Sequence, residues 1–220
     1  RLGRSSAASD VYKRQVQDKP GMPAFVKELS ANACALLIES RAASQTLLHE
    51  QLAQIMASLA DFAVEKQVDF TENPGENAKL WAIRKDTFPA VGAVRKTGTT
   101  VIIEDVTFPV EQLAIGVNRL IELFDKHHYD EAILFGHALE GNLHFVFTQG
   151  FNNPEEVARY QAFMDDVAQL IAVEFGGSLK AEHGTGRNMA PFVELEWGSD
   201  AYQLMWALKR LLDPQGILNP

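Results

Sequence analysis

Two apolar stretches, EAILFGHAL over residues 131–139 and NLHFVFTQG over 142–150, are separated by Glu140 and Gly141. Each has the length and residue types of a strand, and a short glycine-containing break between such runs predicts a hairpin. The hairpin carries His137 and His144, seven positions apart. In one unbroken strand that spacing would send the two rings to opposite faces, because side chains alternate with period two. Folded about a Glu140-Gly141 turn, Leu139 pairs with Asn142, Ala138 with Leu143 and His137 with His144. Direct cross-strand partners have Cβ atoms about 4.5–5.5 Å apart on one face. Two readings stay open: a pair of hydrogen-bonded hairpin histidines, or two ligands aimed at one ion.

The rest of the pattern is organised around that hairpin. An apolar run at 33–40 reads as a central strand, and 42–66 as a long helix. Residues 68–73 read as a short strand ended by Pro74 and Gly75. A helix over 75–88 carries Trp81 and Ile83 and stops before Pro89. The β-branched stretch 98–108 reads as a strand, after which Pro109 opens a helix over 110–127. His127 and His128 fall at the solvated end of that helix, where cations are favourable. A helix over 154–175 is entered through Asn153 and Pro154, 176–192 is a glycine-rich loop, and a last helix covers 199–212. Strands and hairpins with intervening helices predict an α+β fold, a ferredoxin-like antiparallel sheet with helices packed on one face. Residues 16–32, with Pro20, Gly21 and Pro23, read as a connector. SSAASDVYKRQ, residues 5–15, reads like a translated sequencing adapter, so 1–15 is expected to be an artefact and disordered.

Composition narrows the function classes. The chain has 220 residues, 46% of them apolar and 22% charged, enough for a core without covalent staples. Its net charge of −9 argues against nucleic acid as a partner. The one cysteine, Cys34, excludes an internal disulfide or a thiolate cluster within this chain, and its apolar neighbours predict a buried thiol. No apolar run reaches the length of a membrane span. The expected location is cytoplasmic, with a peripheral position at the inner membrane as an alternative, and a homo-oligomer is compatible with the sequence.

KAEHGTGR, residues 180–187, offers the next ligand candidates. Glu182 and His183 lie among Gly177, Gly184 and Gly186, where backbone can approach a ligand closely. Adjacent side chains on extended backbone diverge, so Glu182 can face a metal while His183 faces a neighbouring site. The alternative is an exposed polar loop. A catalytic zinc-type site takes three protein ligands and keeps one position open. A two-histidine, one-carboxylate set suits zinc, manganese or iron.

GHALEGNLHF, KAEHGTGR and LDPQGILNP, in this order and spacing, resemble the C-terminal domain of FAD-linked 2-hydroxyacid dehydrogenases and oxidases. That group includes D-lactate dehydrogenases, the glycolate oxidase flavin subunit and D-2-hydroxyglutarate dehydrogenases. The resemblance covers residues 33–220. LWAIRKDTFPAVGAVRKTGTTVIIEDVTFP is most similar to a bacterial branch fused to an iron–sulfur module, so a 4Fe-4S cluster is implied for a full-length protein. The resemblance implies His137, His144 and Glu182 as metal ligands and His183 as catalytic base. It implies Arg84 and Asn142 at the substrate, and Asn219 near the flavin. Hydroxyglutarate-type relatives carry a lysine at Ile103 and an asparagine at Val146, and Asp is common at Glu140. Lys96 or Arg95 is the expected substitute for the missing positive charge. The implied activity is oxidation of a D-2-hydroxy acid, D-2-hydroxyglutarate first and D-lactate or glycolate second, with hydride transfer to FAD. The implied FAD-binding domain lies N-terminal to this chain, so the 220 residues alone are expected to hold little flavin and to turn over negligibly. A non-catalytic ferredoxin-like interaction domain is the alternative of another class.

Overall fold

The computed structural model describes residues 5–8, 28, 34–65, 69–85 and 95–219. Its centre is a five-stranded antiparallel sheet. The strands are β1 (Ser5–Ala8), β2 (Ala35–Ile38), β3 (Thr99–Thr107), β4 (Ile133–His137) and β5 (Asn142–Gly150), in the spatial order β2-β1-β4-β5-β3. The helices are α1 (Gln45–Leu59), α2 (Pro74–Lys85), α3 (Leu113–Lys126), α4 (Pro154–Ala168), α5 (Gly186–Met189), α6 (Val193–Trp197) and α7 (Ser199–Leu212). A π-helical turn at Gln169–Glu174 continues α4. The architecture is the α+β one expected from the sequence.

Alternation on the sheet separates two faces. Leu143, Phe145 and Phe147 of β5, with Ile102 and Val106 of β3 and Leu134 of β4, point into the main core. There α3 contributes Leu120 and Phe124, and α4 contributes Phe163, Met164, Val167 and Ala168. Phe163 is fully buried, 5.2 Å between ring centroids from both Phe124 and Phe147. Asn153 begins α4 by accepting the Glu156 N–H at 2.8 Å, and Pro154 occupies the first turn, where its missing N–H costs nothing. The opposite face carries a smaller apolar cluster of Ile133, Phe135 and Val146, joined by Val101 and Ile103.

Several local expectations are corrected. Ser5–Ala8 pairs with β2 and β4 as β1, occupying backbone groups that β4 would otherwise leave open, while the rest of 1–15, expected to be a disordered artefact, lies outside the described residues. The expected connector over 16–32 lies outside the described residues except Glu28. β2 is an edge strand, not a central one, and Cys34 beside it is exposed because the sheet ends there. No strand forms in the described part of 68–73, residues 69–73. Asn73 is committed instead to capping α2, its side-chain oxygen accepting the Gly75 N–H at 2.8 Å. His127 is buried, not solvated: α4 packs against the end of α3 and brings Asp166 Oδ2 within 2.6 Å of His127 Nε2 and of Lys126 Nζ. Those contacts, with Lys126 foremost, hold the Asp166 carboxyl below the usual carboxylate range.

The hairpin is also built differently from the two-residue turn. β4 ends at His137, a 3-10 turn covers Ala138–Glu140, and β5 begins at Asn142. The register pairs His137 with Asn142 and Phe135 with His144. A two-residue turn of the common type I′ would need positive φ at Glu140 as well as Gly141. The longer loop puts only Gly141 in the left-handed region, at φ +67°. Gly141 is pinned there: its carbonyl accepts the Phe108 N–H at 2.9 Å, and a Cβ would lie 2.1 Å from the Phe108 oxygen. Gly141→Ala is therefore expected to destabilise the fold by roughly 1–3 kcal/mol in urea titrations, through strain at positive φ and loss of that approach.

Candidate metal and substrate site

The sheet register aligns polar residues in rows across the second face. Asp105 of β3 lies directly opposite His144 of β5, which lies opposite Phe135 of β4. One step along, Thr107, Asn142 and His137 form the next row. Directly paired residues share a face, so His144 and His137 are diagonal neighbours on the same side. Diagonal Cα atoms about 7–8 Å apart are within reach of imidazoles. The two ring centroids are 5.9 Å apart. Even-length loops preserve this sidedness, which is why the four-residue loop brings the histidines together as the two-residue turn would have.

A third segment arrives from the loop after the π-helical turn. Thr107 and Ser178 exchange backbone hydrogen bonds of 2.8 and 3.0 Å, so the loop enters beside β3. Gly177 permits this approach, since a Cβ there would lie 2.2 Å from the Thr107 oxygen. Glu196 of α6 anchors the loop from behind. It accepts from Ser178 Oγ at 2.7 Å, from the Leu179 N–H at 3.2 Å and from Lys180 Nζ at 3.1 Å. The chain then delivers Glu182 and His183 over the histidine row.

Three imidazoles converge on one Glu182 carboxylate oxygen. Glu182 Oε1 lies 2.9 Å from His144 Nε2, 3.8 Å from His137 Nε2 and 4.0 Å from His183 Nε2. His183 stacks on His144 at 4.8 Å with the rings 15° from parallel. Asp105 is buried beneath them, and its Oδ1 lies 3.6 Å from His183 Nδ1. Burial, reinforced by His183, pushes the His144 imidazole down to about 4, against a partial opposing effect of Glu182. His144 is therefore neutral at neutral pH, the form that binds metals.

The donor set fits a divalent cation. One ligand atom from each of His137, His144 and Glu182 lies within 4.8 Å of the others. His144 Nδ1 and Asn142 Oδ1 are buried without a hydrogen-bond partner. Bonding to the orphaned atoms is what a bound group or its first solvent molecules would supply. Arg84 of α2 sits over the Phe135 ring at 4.8 Å, and Phe135 lies 5.2 Å from the His144 ring. A guanidinium thus borders the same face.

Two expected residues lie elsewhere. Lys96 is exposed in the turn before β3, six residues from Asp105 counted from Thr99, or roughly 20 Å along the strand. Asn219 is exposed in the turn after α7, with φ +48°, and makes no hydrogen bond or ion pair to the cluster. Sequence reading missed Asp105 as a site residue. The available signal was a carboxylate in the middle of an apolar strand, VIIEDVTF, where a buried charge needs dedicated partners.

Residues 8–220 match the family model described as FAD linked oxidases, C-terminal domain, and the chain belongs to that family. It is 34% identical over 143 residues to the glycolate oxidase subunit GlcD of Bacillus subtilis (strain 168), covering 64% of this chain and 30% of that one. It is 30% identical over 168 residues to the mitochondrial D-lactate dehydrogenase [cytochrome] of Arabidopsis thaliana, covering 76% and 29%. It is 28% identical over 189 residues to a probable mitochondrial D-2-hydroxyglutarate dehydrogenase of Oryza sativa subsp. indica, covering 84% and 31%. The chain thus spans about 30% of the length of these curated relatives. Among solved structures, 4-ethylphenol oxidase from Gulosibacter chungangensis in its isoeugenol complex shares the fold, with a TM-score of 0.56 at 11% identity, covering 99% of this chain and 46% of that one. No helix among the described residues is long and apolar enough to cross a membrane.

The depressed His144 value has a measurable consequence. Between pH 6.5 and about 4 the unfolded chain binds a proton at this residue that the folded chain excludes. Stability therefore falls as the pH is lowered through that window, by on the order of 3 kcal/mol from this group when fully developed. Urea titrations of the metal-free chain are expected to show the decline, and His144→Gln to show a shallower one.

Proposed function

We propose that this chain is the substrate- and metal-binding part of an FAD-dependent D-2-hydroxyacid dehydrogenase that converts a D-2-hydroxy acid to the 2-oxo acid. The observation that carries this reading is the convergence of His137, His144 and Glu182 beside His183. A two-histidine, one-carboxylate set with an adjacent third imidazole is suited to a cation that orients a hydroxyl next to a base. A bound cation would supply Lewis acidity toward the hydroxyl and carboxylate oxygens, and bound FAD the acceptor for hydride leaving C2.

The chain's own residues have distinct parts. His183 takes the hydroxyl proton. His137, His144 and Glu182 hold the cation. Arg84 meets a substrate carboxylate through its planar fork, which matches two carboxylate oxygens. Asn142 directs its buried, unpartnered Oδ1 toward the substrate hydroxyl or its ordered solvent. The positive charge for an anionic substrate would come from Arg84 together with a bound cation.

D-2-hydroxyglutarate is the first substrate candidate. A specific observation favours D-lactate or glycolate as the second. Ile103 and Val146 are direct cross-strand partners one row from Asp105 and His144, and pack with Ile133 and Phe135. An apolar pair there offers nothing to a second carboxylate, and a monocarboxylate asks for nothing. Turnover of a protein containing this chain with its flavin domain, measured on a 2-hydroxyacid panel, separates the two. A kcat/KM preference for hydroxyglutarate is the expected outcome, and preference for lactate or glycolate would reject it. For the 220-residue chain, calorimetric titration with Zn²⁺ or Mn²⁺ is expected to give one site, lost in His144→Ala. Equal binding by both would favour a non-catalytic interaction domain.

A further inference from the structure

We infer that Asp105 is the positioning residue of this site: it sets the height of the Glu182-His183 backbone and fixes which nitrogen of His183 is free to accept a proton. The inference rests on the metal and base roles proposed above.

Asp105 stands near the C-terminal end of β3 between Glu104 and Val106, only 1% exposed, on the face it shares with His144. A carboxylate withdrawn that far from water is costly unless donors meet its oxygens. The donors here are specific. Asp105 Oδ2 accepts the backbone N–H of Glu182 and, at 3.1 Å, that of His183. These are the two residues whose side chains enter the cluster. Their carboxylate anchor lies 77 and 78 positions earlier in the chain. Past it, Gly184 and Gly186 adopt φ of +72° and +60°, so the backbone turns away immediately after being tied down. With the Thr107–Ser178 pairing and the Glu196 contacts upstream, the Asp105 carboxylate is the last of three clamps on this loop.

The other carboxylate oxygen addresses the ring. Oδ1 faces His183 Nδ1 at 3.6 Å, while His183 Nε2 faces the Glu182 carboxylate at 4.0 Å, on the side of the candidate cation. Such contacts commonly tighten only when substrate is bound. A carboxylate facing Nδ1 favours the tautomer protonated there. The Nε2 lone pair is then left toward the cation, where a hydroxyl would be held. Asp105 also lies within ligand distance of His144 and His183, but both of its oxygens are engaged by the Glu182-His183 segment, so its effect is assigned through those two residues.

Histidine ¹⁵N NMR of the 220-residue chain, at a pH where the imidazole is neutral, reads the tautomer directly. His183 is expected as the Nδ1–H form in the wild type. In Asp105→Asn the amide oxygen keeps the backbone contacts while its NH₂ faces Nδ1, and the ring is expected to switch to Nε2–H. Zn²⁺ affinity of Asp105→Asn, by the same calorimetry, is expected to drop about 10–100-fold, the usual effect of losing an outer-shell partner. Asp105→Glu is expected to recover part of both signals. A wild-type His183 in the Nε2–H form overturns the proposal without any variant, so failure of Asp105→Asn to fold does not shelter it. Wild-type tautomer and affinity in a folded Asp105→Asn overturn it as well. If instead the wild-type chain binds no cation, the metal reading fails, and the tautomer measurement still decides the role of Asp105.

Discussion

Everything at this site depends on the pairing of β5 with a strand on each side. β5 is hydrogen-bonded to β3 along its whole length and to β4 along its first half. Successive residues must then point to opposite faces of a sheet that cannot twist free. Leu143, Phe145 and Phe147 sink into the helix-covered core, and Asn142, His144 and Val146 are forced onto the other side. The same strand therefore supplies the hydrophobic anchor and the functional surface. A histidine held at 4% exposure between Asp105 and Phe135 cannot relax toward water. That confinement keeps it neutral.

The remaining half of the site is imported. Glu182 and His183 belong to a loop whose glycines let it pass close to β3, and whose backbone N–H groups are captured by Asp105. Behind it, Glu196 ties Ser178, Leu179 and Lys180 to α6, with Lys180 lying 5.5 Å over the Trp197 ring. The loop is thus fastened at both ends by carboxylates, one on the sheet and one on a helix. A mobile surface loop would lose a large conformational entropy each time it brought Glu182 and His183 over the histidine row. Here the ordering is already done in the folded chain, which is the usual requirement for a preorganised site.

The chain belongs to the FAD linked oxidase C-terminal family, and its site is divided between a sheet and a loop. The sheet supplies His137 and His144, and the clamped loop supplies Glu182 and His183. The boundary between them is the Asp105 carboxylate. Chemistry that needs a base and a cation a few ångströms apart is served by such an arrangement, because neither group can drift independently of the other.

The antiparallel α+β architecture, the hairpin, α3, α4 and α7 were readable from local pattern, since apolar periodicity and caps such as Asn153-Pro154 are short-range signals. His137, His144, Glu182 and His183 were readable as a group because their residue types and glycine context are written in two short motifs. The register was not. Whether the hairpin closes by two or four residues turns on positive φ at Gly141 and on its carbonyl reaching Phe108, contacts outside the motif. Lys96 was expected to replace a missing positive charge, yet it lies before the start of β3, and the six residues from Thr99 to Asp105 already span roughly 20 Å. The sequence by itself determined which groups were present and which face of β5 they shared, through strict alternation. Only the tertiary structure decided that a buried carboxylate 77 positions away would seat the loop, because that depends on two segments meeting across a sheet edge, where no local periodicity reaches.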